Sequence, residues 1–161
     1  MAASTTDLKS MLKDPDLLET RAYIGGKWVD GDEGTFDVIN PARGDVITQV
    51  ADLSRAQVAG AIAQAQTAQK EWASWTGKER AGVLRKWFDL MMENQDDLGT
   101  ILTAEQGKPL AEAKGEIAYG ASFIEFFGEQ AKRVYGETIP GHQRDKRITV
   151  IKQPIGVAAS I

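Results

Sequence analysis

From Ser54 to Tyr135 the apolar residues recur at three- and four-residue spacing, so roughly half of the 161-residue chain is committed to helix. Ser54 with Gln57 fits a capping box, and Val58, Ile62, Ala65, Ala68 and Trp72 then form one apolar stripe on an Ala-rich helix. Thr76 with Glu79 repeats the box ahead of Val83, Leu84, Trp87, Phe88 and Met91. Asn94 is placed to cap a third helix carrying Leu98, Ile101 and Leu102. Gly107 followed by Pro109 marks its end, because glycine accepts the left-handed conformation and proline cannot continue the helix. A fourth helix is expected from near Pro109 to Tyr135, with Ala113, Ile117, Ala121, Ile124, Phe127, Ala131 and Val134 on its buried side and Gly136 as its stop. Four helices with strands at either end define an α+β protein or part of an α/β one.

The flanks read differently. Residues 1–20 form a polar arm with one short amphipathic piece, Leu8, Met11 and Leu12, broken before Pro15, and this arm is expected to be flexible unless something holds it. It has no apolar run of signal-peptide length, and Asp7 and Asp14 precede Arg21, which points to the cytoplasm as the compartment. Tyr23-Ile24 and Lys27-Trp28-Val29 flank Gly25-Gly26, the pattern of a hairpin, and no G-x-G-x-x-G is present. Phe36–Ile39 and Val46–Val50, joined by the Asn40-Pro41-Ala42-Arg43-Gly44-Asp45 turn, extend this into a small β meander. Near the other end, Arg147–Lys152 alternates like a half-buried strand. Ile155–Ile161 is almost wholly apolar, as in a strand covered on both faces of a parallel sheet. Such a strand is incomplete without a crossover helix, so a truncated chain is expected.

Composition narrows the chemistry. Lys and Arg number 19 against 23 Asp and Glu, a net charge of −4, which gives no basic field for nucleic acid or for an anionic membrane. There is no cysteine and only one histidine, so this chain supplies no thiol nucleophile, disulfide, zinc-thiolate or His-rich metal site. Glu112 with Glu116, and Glu125 with Glu129, stand four apart on a helix and read as a solvated face given the nearby Lys114 and Lys132. His142, in a Gly-His-Gln-Arg-Asp run, reads as an exposed loop residue. Tyr119, Phe123, Phe126 and Phe127 either pack in the core or wall an apolar pocket.

An ordered set of motifs carries a resemblance. Tyr23-Ile24-Gly25-Gly26-Lys27-Trp28-Val29, Val38-Ile39-Asn40-Pro41-x-x-Gly44, Glu105-Gln106-Gly107-Lys108-Pro109-Leu110 and Gln153-Pro154-Ile155-Gly156-Val157 occur in the order and spacing of the aldehyde dehydrogenase superfamily. Within it, the run from Glu105 to Ile117, then Ala121–Glu125 and Tyr135–His142, resembles the succinate-semialdehyde dehydrogenases. The resemblance implies an α/β fold of which this is the N-terminal part, comprising the β meander, four helices, oligomerisation-arm strands and the first strand of the nucleotide-binding sheet. By the same resemblance, 21–136 is the N-terminal portion of the cofactor-binding domain, 137–153 forms the oligomerisation-arm strands, a homo-oligomer associating through 147–153, and 154–161 starts the nucleotide-binding sheet.

The implied activity is oxidation of succinate semialdehyde to succinate with NADP or NAD, through attack of a cysteine thiolate on the aldehyde, hydride transfer and water activation by a glutamate. Those catalytic groups would lie in the remainder of the dehydrogenase chain, so these residues alone are expected to bind no cofactor and to be inactive. Resemblance further places Tyr119 and Phe123 on the wall of the substrate tunnel. It also assigns a structural monovalent cation to the backbone carbonyls of Val38 and Ile39 with Glu105. The alternative is a non-catalytic assembly or binding fragment that associates through its exposed strands by β-augmentation.

Overall fold

Two reciprocal hydrogen-bonded caps start the helical region of the computed structural model, which describes residues 5–160. Ser54 Oγ accepts the Gln57 N–H at 3.2 Å while Gln57 Oε1 accepts the Ser54 N–H at 3.0 Å, opening α2 (Arg55–Ser74). Thr76 and Glu79 repeat the exchange at 3.3 and 2.7 Å to open α3 (Gly77–Glu93). Each box satisfies two amide donors that a helix start leaves without intrahelical acceptors. Asn94 departs from expectation: its backbone is not extended, and its amide turns back to donate to the Leu90 carbonyl at 2.9 Å. It therefore finishes α3, and α4 (Gln95–Gln106) begins without a side-chain cap. Gly107, at φ +83°, ends α4 as expected, its N–H on the Thr103 carbonyl at 2.9 Å.

α5 (Leu110–Gln130) stops short of Tyr135, leaving the helix where Ala131 abuts the start of α3 at Gly77. It packs on α3 along one side and on α4 along another. Small residues set these approaches: Ala113 and Ala121 are fully buried, and a β-carbon on Gly128 would lie 3.3 Å from Leu84 Cβ. Phe127 and Val134, expected inside, are exposed, since the interfaces close around alanine and glycine and leave the larger side chains outside. The stripe on α2 is bare as well; Val58 and Ile62 are exposed and the helix buries no residue.

The strands form three separate antiparallel ribbons rather than one meander. β1 (Ala22–Ile24) and β2 (Lys27–Val29) are joined by Gly25 and Gly26, both at positive φ, which matches the expected hairpin turn. β3 (Thr35–Ile39) pairs with β4 (Val46–Ala51), and β5 (Glu137–Pro140) with β6 (Arg147–Val150). Residues 151–160 adopt no strand, and the expected sheet strand over 155–161 does not form among them; Ile161 lies outside the described residues. A parallel strand needs hydrogen-bonding neighbours, and no described segment is in position to supply them.

The arm expected to be flexible is seated from Leu8 onward. α1 (Thr5–Ser10) and a single 3-10 turn (Pro15–Leu17) bring Leu8, Leu12 and Leu18 together with Ile47 of β4 in one buried cluster. Residues 1–4, the rest of that arm, lie outside the described residues. The chain exposes 11822 Å² in all, against about 7,900 Å² for a compact monomer of this mass. Bare ribbon faces, the α2 stripe, the aromatic side of α5 and the exposed residues 151–160 all contribute to the excess.

Candidate functional site

Two places combine geometry with chemistry. The first lies between the end of β3 and the end of α4. The strand register steps from Val38 opposite Thr48 to Ile39 opposite Val46, a bulge at which backbone groups leave the regular ladder. Asn40 then holds the following turn: its Oδ1 accepts the N–H groups of Ala42 at 3.0 Å and Arg43 at 3.2 Å, and its carbonyl accepts the Gly44 N–H at 2.7 Å. Arg43 grips Asp45 with two hydrogen bonds, at 2.8 and 3.1 Å. Val38 packs on the leucine cluster alongside Ala104, the neighbour of Glu105, and Gly107 backs directly on to Pro41. The three residues implied to hold a cation, Val38, Ile39 and Glu105, thus border one junction.

The Glu105 side chain makes no ion pair or hydrogen bond among the described residues. Partial desolvation pushes its carboxyl above the ordinary glutamate range. It also stands in the last turn of α4, where the helix dipole disfavours an anion. A neighbouring cavity of about 450 Å³ is lined by Leu8, Met11, Ile47, Thr103, Ala104 and Leu110, among others. The Thr103 hydroxyl is buried without a hydrogen-bond partner among the described residues.

The second place is the aromatic side of α5. Tyr119 and Phe123 meet edge to face at 4.9 Å between centroids, and Phe126 and Phe127 do so at 5.3 Å. They border an open groove of about 630 Å³ rimmed by Glu125 and Glu129. The sequence left this group as either core or pocket wall; the structure puts it on the surface. Its carboxylates are paired, Glu125 with Arg85 at 3.0 Å and Glu129 with Arg133 at 3.8 Å, and Glu116 pairs with Lys108. That is the solvated face the spacing suggested. His142 is exposed in the turn between β5 and β6. The described residues contain no cluster of three or more His, Cys, Asp or Glu side chains suited to a metal, and no helix long and apolar enough to cross a membrane.

Sequence reading missed Asp97. It is buried on the first turn of α4 and accepts backbone N–H groups from Lys13 and Asp14. No local signal marks it, because its partners are more than eighty residues away in the chain.

The chain belongs to the aldehyde dehydrogenase family, whose model matches residues 28–161. It is 61% identical over 151 residues to the glutarate-semialdehyde dehydrogenase of Pseudomonas aeruginosa, covering 93% of this chain and 31% of that protein. It is 56% identical to the succinate-semialdehyde dehydrogenase (NADP(+)) of Escherichia coli, with the same coverage. The solved succinate-semialdehyde dehydrogenase of Burkholderia pseudomallei superposes with a TM-score of 0.87 at 55% identity, over 90% of this chain and 30% of that one. The chain therefore spans about a third of the length of these relatives and corresponds to an N-terminal portion of the family fold.

Proposed function

We propose that this chain is the N-terminal part of an NAD(P)-dependent dehydrogenase that oxidises succinate semialdehyde to succinate. The observation that carries the reading is the identity, 61% and 56%, to enzymes named for semialdehydes of short dicarboxylic acids. Succinate and glutarate semialdehydes both carry a carboxylate at one end and an aldehyde at the other, and they differ by one methylene. The segment contains no cysteine, so a thiolate that attacks the aldehyde comes from outside these 161 residues, and the segment alone is inactive.

Its residues bind and position. Residues 21–136 serve as the N-terminal portion of the cofactor-binding domain, 137–153 as the oligomerisation arm and 154–161 as the start of the nucleotide-binding sheet. Tyr119 and Phe123 line the substrate tunnel, a role supported by their exposure on one groove. The backbone carbonyls of Val38 and Ile39 and the Glu105 carboxylate hold a structural monovalent cation together with oxygen ligands from the remainder of the protein, a reading supported by the bulge at Val38 and Ile39 and by the pairing-free Glu105 side chain among the described residues.

The test is turnover of succinate and glutarate semialdehydes with NAD and NADP, by the complete protein and by the 161-residue segment. The expected result is oxidation by the complete protein, with kcat/KM for the two aldehydes differing by about 10–200-fold. The segment should show none. Turnover by the segment, or indifference of the complete protein to both aldehydes, refutes the reading. A second reading, an assembly fragment joining other subunits, is favoured by the bare β5–β6 ribbon, and binding of the segment to full-length enzyme would support it.

A further inference from the structure

Residues 8–18 supply three of the four side chains in the buried cluster over β4, yet α1 is only six residues long and cannot hold its own position. One tie to its backbone comes from α4. The two oxygens of the Asp97 carboxylate accept the Lys13 N–H at 3.1 Å and the Asp14 N–H at 2.8 Å, and Asp97 is only 5% exposed. Both bonds are charge-assisted and both donors lie in a segment with no other regular pairing, so removing the carboxylate leaves them without acceptors. The adjacent Asp96 accepts Lys13 Nζ at 3.2 Å and Lys114 Nζ at 2.8 Å, but these are exposed contacts that solvent screens.

The seated leucines do more than cover β4. Val38, Ile101 and Ala104 pack against them, so the cluster is wedged between the bulge at the end of β3 and the last turn of α4. We infer that Asp97 is a positioning residue: it clasps residues 8–18 as a strap, and the seated strap sets the separation of the Val38–Ile39 carbonyls from the Glu105 carboxylate. The second half rests on the cation reading under Proposed function. A cation that binds only the seated arrangement favours seating, and strap release weakens the cation by the same factor.

The test is hydrogen–deuterium exchange of the protein expressed from its complete coding sequence, followed in peptides covering 8–18, 35–50 and 110–130. Choline chloride is compared with KCl at equal ionic strength. Asp97→Ala should speed exchange of 8–18 by about tenfold or more and leave 110–130 as in the wild type. Asp97→Asn, which keeps one acceptor oxygen, should fall between. In the wild type, K+ should slow exchange of 8–18. Glu105→Gln should keep the strap protected and lose that response. Leu12→Ala, which loosens the strap with the clasp intact, should weaken K+ as Asp97→Ala does, and it serves if the Asp97 variant does not fold. Unchanged protection of 8–18 in Asp97→Ala overturns the clasp. Unchanged K+ affinity in a released strap overturns the coupling. A wild-type protein indifferent to K+ overturns the cation reading and the coupling with it, while the clasp stands or falls on the first comparison.

Discussion

β3–β4 and β5–β6 are both two-stranded antiparallel ribbons with apolar residues on each strand, yet only one of them has an inside. Ile47 of β4, 4% exposed, lies in the cluster with the strap leucines, and Thr48 beside it is 6% exposed, whereas every residue of β5 and β6 is exposed. Isolated two-stranded ribbons are marginal in water, so cover rather than pairing is what stabilises such an element. β3–β4 takes its cover from this chain. Ile139, Ile148 and Val150 of the second ribbon have no such cover among the described residues.

The largest expected contrast is at single apolar side chains. Leu12→Ala should cost about 2–4 kcal/mol in urea unfolding of the segment, while Ile148→Ala should stay within about 0.5 kcal/mol. Equal losses would break the comparison. Burial of Ile148 in the complete protein should raise its cost toward that of Leu12. Next come the helix starts: Thr76→Ala should cost about 1 kcal/mol, and Asn94→Ala less, because Asn94 caps nothing ahead of it.

A smaller effect is expected at Glu105. Burial raises its folded pKa above the unfolded value, so the folded state holds more protons in that window, and stability falls as pH rises through it. Glu105→Gln should therefore raise the melting temperature slightly at neutral pH in choline chloride and flatten this slope, whereas K+ should stabilise only the wild type. The smallest is Glu19, where the strap gives way to β1. A two-pronged hydrogen bond from Arg21, at 2.9 Å on each oxygen, draws its carboxyl down to about 2. Its contribution is present above the unfolded pKa and is lost as pH falls through about 2, although solvent screens the exposed pair. Carboxyl NMR titration of wild type against Arg21→Ala measures it.

What was legible in the sequence was local. The boxes at Ser54 and Thr76 and the glycines at 25, 26 and 107 each depend on residues within one turn, and each forms as its spacing implies. Asn94 shows the limit: its residue type suits a cap, but the backbone geometry inherited from α3 decides which way its amide turns. Apolar periodicity located the four long helices, overrunning the end of α5 by five residues, without saying what covers them, so the stripe on α2 and the aromatics on α5 came out bare. The run over 155–161 reads as a sheet strand only to a sheet that supplies neighbours. Val38, Ile39 and Glu105, the residues proposed to hold a cation, were reached through family motifs, whereas Asp97 depends on a contact that no spacing rule encodes.

That contact also orders events in time. α3, α4 and α5 are consecutive, so their interfaces close short loops and form quickly, whereas the clasp from Lys13 to Asp97 joins residues 84 apart. Synthesis releases the amino end first, and Leu8, Leu12 and Leu18 must travel uncovered until α4 has left the ribosome. The strap is made more than eighty residues before the carboxylate that secures it, and for that interval its leucines are open to chaperones and to neighbouring nascent chains.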